Sequence, residues 1–311
     1  MVGNDSGITG NMEKHGFRIT RRSDYLLRSL LAVWTIVSAI MSFASVPETA
    51  KAMDNAIMND ERGNKATEAA GIPTITILYD NNSSRADLAP GWGFSCLVKG
   101  EEKTILFDTG GDGAVLLANM RKLEIDQSSI DIVVLSHAHG DHTGGLERLL
   151  TVNRHLTVFL PQCFPAEYKK GLRRSGISFV EVQGFTKICK HVYTTGELGT
   201  LIKEQSLIIQ TGHGIVVITG CAHPGIIEII KAAKQFMRVD TVLLALGGFH
   251  LLGKSKEELE EIVATFKQEG VRFVAPCHCS GDSARHLFAR QYRQYYVDVG
   301  VGSVIHGKKF P

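Results

Sequence analysis

The sequence predicts a layered α/β sandwich, with β-sheets in the middle and helices outside. Apolar, β-branched runs of strand length recur through the C-terminal 240 or so residues. The early runs follow one another with only turns between them, as in an antiparallel meander. The later runs alternate with helical patterns, as in parallel sheets crossed by helices.

Residues 1–28 are polar and weakly basic and contain Arg21, Arg22 and Arg28. Ser29 to Pro47 is uncharged and apolar, and Ala50-Lys51-Ala52 follows it. A basic start, an apolar centre and small residues at a cleavage point predict an export signal over 1–52. The paired arginines resemble a twin-arginine signal, which carries folded cargo to the periplasm. Residues 29–47 also approach membrane-spanning length, so an uncleaved anchor with membrane contact is the other reading. Residues 53–71 are polar and unpatterned, a linker. Residues 72–311 form one domain.

Within that domain strands are predicted at 74–79, 92–98, 103–107, 131–135, 156–160, 178–182, 206–210, 214–219, 240–246 and 271–275. Helices are predicted at 112–122, 145–151, 165–175, 224–236, 255–269 and 282–291. The 255–269 helix illustrates the logic. Ser255 and Glu258 make a capping box, Leu259, Ile262, Val263 and Phe266 make an apolar stripe, and Gly270 ends it.

Composition excludes several function classes. Apolar residues at 44% and charged residues at 21% rule out a disordered or collagen-like chain. Lys and Arg number 34 against 32 Asp and Glu, a net charge of +2, so no basic field draws nucleic acid. The expected partner is a small-molecule substrate.

The chemistry concentrates after strand 131–135. The chain reads His137-Ala138-His139-Gly140-Asp141-His142 there. Three imidazoles and a carboxylate on a loop leaving a buried strand make a donor set for zinc, with manganese or iron as the other candidates. In an extended segment His137 and His139 share one side, and the following turn swings Asp141 and His142 to a second position. One motif can thus feed two neighbouring divalent ions.

This HxHxDH pattern resembles the hallmark of the metallo-β-lactamase superfamily. Phe107-Asp108-Thr109-Gly110, Thr219-Gly220-Cys221-Ala222-His223-Pro224-Gly225 and Pro276-Cys277-His278-Cys279-Ser280-Gly281 follow strands in the same order as that family's further motifs. The resemblance implies a four-layer αββα sandwich with the metal site at one edge of two facing sheets. It implies His137, His139 and His223 at one ion, and Asp141, His142 and His278 at the other. It also implies that Asp108 orients the HxHxDH loop, a turn-capping Asp being the other reading. Asp141 and His250 complete the residues expected to serve the chemistry, His250 as ligand, substrate contact, general acid or structural histidine.

Most members carry an Asp bridging both ions after the strand that here is Val242–Leu246. This chain reads Gly247-Gly248-Phe249-His250-Leu251 there, with no carboxylate. That removes one charge and weakens the second site. The contexts GCAHPG, GGFHL and HCSG together resemble a narrower branch that includes dihydropterin-ribofuranosylaminobenzene phosphate synthases.

Two ions close together lower the pKa of a bound water and present hydroxide to an electrophile. The expected function is therefore hydrolysis of a small-molecule ester, lactone, lactam or phosphoester. The alternatives are a transferase condensing a dihydropterin diphosphate with ribofuranosylaminobenzene phosphate, and a non-catalytic metal-binding module. Lys254 and Arg285 are candidate cations for an anionic substrate. Six cysteines permit disulfides in an oxidising compartment without fixing a pairing. Cys221, Cys277 and Cys279, beside the expected ligands, read as small buried packing residues, with ligation the alternative.

Overall fold

Each sheet of the domain starts antiparallel and finishes parallel. β1 (Thr74–Tyr79), β2 (Ser95–Lys99) and β3 (Thr104–Phe107) form a meander. β3 then pairs parallel with β4 (Ile132–Val134), β4 with β5 (Thr157–Pro161), and β5 with β6 (Ser178–Val182). β13 (Val304–Ile305) closes the other edge, giving the order β13-β1-β2-β3-β4-β5-β6. In the second sheet β7 (Thr186–Cys189), β8 (Val192–Thr194), β9 (Leu207–Thr211) and β10 (Gly214–Thr219) are antiparallel. β11 (Val242–Gly248) and β12 (Val271–Cys277) add parallel to β10. The meander-then-crossover pattern thus occurs twice, whereas the sequence pattern places it once. The computed structural model describes residues 71–100, 102–307 and 310, all within the unit Thr67–Pro311. The signal or anchor expected over 1–52, including 29–47, and the linker up to residue 70 lie outside the described residues. Among the described residues no helix is long and apolar enough to cross a membrane.

Helices occupy the crossovers of the parallel strands, as geometry requires. α1 (Gly113–Lys122), α2 (Gly140–Thr143), α3 (Leu146–Leu150) and α4 (Ala166–Arg174) accompany the first sheet. α5 (Ile226–Met237), α6 (Lys256–Gln268) and α7 (Asp282–Tyr292) accompany the second. The capping box on α6 forms as predicted, with Ser255 and Glu258 reciprocally bonded.

Strand alternation sorts the side chains into three cores. Val216 and Ile218 of β10 point into the space between the sheets, against Ile75, Ile77 and Phe107. Ile215 and Val217 point the other way, onto Ile229 and Ile230 of α5, Phe266 of α6 and Phe288 of α7. Leu106, Val133 and Val158 meet Leu116, Met120, Leu149 and Leu172 of α1, α3 and α4. A core between the sheets and one under each helical layer make the four-layer αββα sandwich.

The departures from expectation have local causes. The strand predicted from residue 92 starts at Ser95, because the chain before it leaves the sheet and the Phe94 N–H donates to the Asp141 carbonyl at 3.3 Å. β7, β8 and β13 are two to four residues long, with Lys190 and His191 between β7 and β8 and His306 and Gly307 after β13, so they carry no alternation long enough to read. β11 and β12 run to Gly248 and Cys277, two residues past their predicted ends.

The helical core of the second sheet turns on a ring cluster. Phe249, Phe266 and Phe288 are fully buried, with centroids 5.0–5.8 Å apart. Phe288→Ala removes a fully buried ring and should cost about 3–5 kcal/mol, read as a lower urea midpoint at unchanged slope.

Candidate metal centre

The functional residues sit at the carboxyl ends of strands. Asp108 follows β3, Ser136 to His142 follow β4, Gly220 to His223 follow β10, His250 follows β11 and His278 follows β12. Parallel pairing aligns these ends, and face-to-face packing brings both sets to one edge of the sandwich.

Asp108 is the hub. It is fully buried at a φ of 56°, and its Oδ1 accepts from the Ser136 N–H at 2.7 Å. Its Oδ2 accepts from the Ser136 hydroxyl at 2.7 Å and lies 2.7 Å from His142 Nδ1. An ionised carboxylate only accepts, so His142 carries its proton on Nδ1 and turns Nε2 inward. The Ser136 hydroxyl, having given its proton to Asp108, accepts from His137 Nδ1 at 2.9 Å, and His137 Nε2 also faces inward. His278 follows the same rule, with Nδ1 3.1 Å from Asn81 Oδ1. Three imidazoles are held by their outer nitrogens and present Nε2 to a common space.

The loop bearing His223 is held by Glu204. This fully buried carboxylate accepts backbone N–H bonds from Gly220, Cys221 and Ala222 on Oε1 and from His223 on Oε2, at 2.9–3.0 Å. Gly220 is required beside it, because a Cβ there would lie 2.2 Å from Ser136 Oγ and 2.9 Å from Asp108 Oδ2. Asp80, also fully buried, accepts from the His278 N–H at 2.9 Å. Glu204, Asp80 and Asn81 are not among the residues expected from the sequence. Asp80, directly after a buried strand as Asp108 is, had a readable signal; Glu204, in a charged loop, had none.

The donors collect into three groups, within each of which the ligand atoms lie no more than 4.8 Å apart. Asp141, His142, Cys221 and His278 form one, with Asp141 Oδ2 3.5 Å from His142 Nε2 and 3.4 Å from His278 Nε2. His137, Cys221 and His223 form the second, and Cys221, His250 and Cys279 the third. His139 is exposed and stands at the edge of the second group, its Nδ1 3.0 Å from His137 Nε2. The His223 Nε2 is buried with no hydrogen-bond partner. An orphaned nitrogen among inward-facing imidazoles, a carboxylate and a thiol fits a divalent metal.

Electrostatics follow from this crowding. Burial first, and neighbouring imidazoles second, hold His137 far below the ordinary histidine range. His223 is lowered to about 4 by burial and by His250. Burial opposes a charged His142, but Asp108 outweighs it and raises the pKa. For Asp141 burial works upward, while the His278 hydrogen bond and the charges of His142 and His278 hold the carboxyl well below its usual value.

Comparison with known proteins agrees with this architecture. The metallo-β-lactamase superfamily profile matches residues 90–157. A dihydropterin-ribofuranosylaminobenzene phosphate synthase of Methanocaldococcus jannaschii is 26% identical over 268 residues, 70% of this chain and 91% of that protein. A Bacillus subtilis protein of the metallo-β-lactamase fold superposes with a TM-score of 0.58 at 15% identity, over 75% of this chain and 99% of that one. A solved metal-dependent hydrolase of the β-lactamase superfamily is 31% identical, covers 75% of this chain and 98% of its own, and superposes with a TM-score of 0.66. The chain belongs to the metallo-β-lactamase superfamily.

Three readings of individual residues are revised by the structure. Cys277 packs between the sheets, but Cys221 lies among the imidazoles and is not simple packing. Arg285 is committed to Asn82 Oδ1 at 2.5 Å, Asp298 Oδ1 at 2.8 Å and the Val299 carbonyl, which takes it out of the substrate cations. All six cysteines are free thiols.

Two outcomes follow. Glu204→Ala strands four buried N–H donors and should cost at least about 3 kcal/mol, whereas Glu204→Gln, which keeps one acceptor, costs less; urea melts compare them. In metal-free protein the lowered His223 pKa leaves the folded state with fewer bound protons than the unfolded state between about pH 6.5 and 4. Stability is therefore full above pH 6.5 and falls as pH drops toward 4. His223→Asn should flatten that part of a Tm-versus-pH profile.

Proposed function

We propose that this protein is a metal-dependent transferase joining a dihydropterin, supplied as its diphosphate, to ribofuranosylaminobenzene phosphate with loss of diphosphate. The observation that carries this reading is the alignment with the M. jannaschii synthase across 91% of that protein's length. We assign His137, His139 and His223 to one divalent ion and Asp141, His142 and His278 to a second, zinc being favoured by the imidazole-rich donors. When bound, such ions neutralise the charge that builds on a departing diphosphate.

The chain's own residues supply the rest. Trp92 is 54% exposed with its ring 4.9 Å from that of His278, and offers a flat apolar face for a pterin ring. His250 lies 4.5 Å from His223, ring to ring, and its hydrogen bond with Cys279 raises its pKa. That suits it to hold a proton for a leaving group. A groove of about 310 Å³ between α6 and α7 is lined by Lys254, Lys256, Ser283, His286 and Arg290. Its first lining residues, Lys254 and Ser283, follow His250 by four residues and His278 by five, and we assign it the phosphate at the far end of the same substrate. Lys254 is shared with Glu258 at 2.8 Å, while Arg290 and His286 form no ion pair among the described residues.

A second reading, hydrolysis of an ester, lactone, lactam or phosphoester, is favoured by the 31% identity to a structure described as a metal-dependent hydrolase. Metal-loaded protein incubated with dihydropterin diphosphate, with and without the aminobenzene phosphate, separates the two. Diphosphate release that requires the acceptor, with a condensed product by mass spectrometry, supports the transferase. Release without acceptor, or turnover on ester and lactone panels, supports the hydrolase. Full metal occupancy with no turnover on any of these means a non-catalytic metal-binding module. In the transferase, Arg290→Ala should raise KM for the phosphate-bearing acceptor about tenfold with kcat little changed.

A further inference from the structure

The carboxylate that most superfamily members share between two ions has no room where it belongs in this chain. β11 ends on Gly247 and Gly248, which pair with Pro276 and Cys277 of β12. Gly247 has a φ of 119°, and a Cβ there would lie 2.1 Å from the Thr219 carbonyl oxygen. A Cβ on Gly248 would lie 2.4 Å from the Gly220 carbonyl oxygen and 2.7 Å from Cys279 Sγ. The next side chain, Phe249, points into the ring cluster under the helices. β10, β11 and β12 are packed too closely at these ends for an aspartate.

A different anionic donor occupies the middle of the site. Cys221 Sγ lies 3.2 Å from His142 Nε2 and 3.3 Å from His278 Nε2. It also stands within 4.8 Å of ligand atoms of His137 and His223, so it is common to both groups that hold the expected ligands. No other described side chain belongs to both. Its position is fixed by backbone rather than by packing, since the Cys221 N–H is one of those bound by Glu204.

We infer that Cys221 is a metal ligand whose thiolate is shared by the two ions, taking the place of the missing aspartate. The inference rests on the two-ion assignment made above. On loading, the S–H bond breaks, the proton leaves to solvent, and sulfur forms a bond to each ion. One negative charge is thereby returned between them. Sulfur also biases the site toward zinc and cobalt and away from magnesium or manganese. Cys279 does not take this role: its Sγ lies 3.5 Å from the Cys221 carbonyl, and it joins only the group with Cys221 and His250, neither of the two that hold the expected ligands.

Cobalt(II) titration of the metal-free full chain tests this by absorption rather than turnover. The expected result is a near-ultraviolet sulfur-to-cobalt band that keeps growing through the second equivalent. Cys221→Ser should abolish that band and bind one equivalent instead of two. Cys221→Asp should bind two without the band, and Cys279→Ser should keep it. Circular dichroism and melting of each variant establish folding; if Cys221→Ser does not fold, the parent and Cys221→Asp spectra decide. Two bound ions with no sulfur band, or a band surviving in Cys221→Ser, overturn the inference and leave the two-ion assignment intact. A band complete at one equivalent makes the thiolate terminal and overturns the sharing. No cobalt bound by the folded parent chain sinks the two-ion assignment itself.

Discussion

One buried carboxylate organises the candidate metal centre. Asp108 accepts from the Ser136 backbone, the Ser136 hydroxyl and His142, and through Ser136 it also fixes His137. A buried charge is tolerated only where its lone pairs are satisfied, and here that requirement sets the tautomers of two imidazoles. The inward Nε2 atoms are therefore a consequence of Asp108 being unable to donate. The constraint extends outward, since Gly220 must be glycine to leave room for the Asp108 and Ser136 contact.

The second sheet answers with its own buried carboxylate. Glu204 gathers four consecutive backbone N–H groups and so holds the loop from Gly220 to His223 in place. The neighbouring Gln205 joins the sheets, its N–H donating to the Ser136 carbonyl at 2.9 Å and its Nε2 to the Leu135 carbonyl at 2.8 Å. The two halves of the site are thus tied at the point where they must keep register. Left-handed φ values at Asp108, Ala222, His250 and His278 cluster at this edge, the conformational cost of turning sharply off four strand ends.

Burial and mutual crowding keep His137 and His223 neutral, the form in which imidazole binds metal. Around this centre the surface is uneven. Exposed Trp92 borders one side through its contact with His278, and the cationic groove between α6 and α7 begins a few residues from His250. An exposed aromatic face and a cationic groove near one candidate metal centre are the features on which the proposed substrate, aromatic at one end and phosphorylated at another, would draw.

Much of this was legible from sequence, because strands and helices of this length announce themselves by periodicity. β1, β6 and β10 fall where the apolar runs place them, and the α6 capping box is written in Ser255 and Glu258. The histidine motif pointed to a candidate metal centre for the same reason: its donors are adjacent in the chain, so spacing alone brings them together. The partners of those donors are not adjacent. Asp80 and Asn81 hold His278 from 198 and 197 residues away, and Glu204 holds the loop from Gly220 to His223 from 16–19 residues away, and no local pattern records that. Cys221 shows the difference most clearly. By itself it is a small buried residue two places before a histidine. Only the packing of β10 against β11, which leaves no space for an aspartate at Gly247 or Gly248, and the approach of His142 from the other sheet give its sulfur a place between two sets of ligands. The sequence determined the donors and the layers; the tertiary structure decided which atoms face one another, because that depends on distances between residues far apart in the chain.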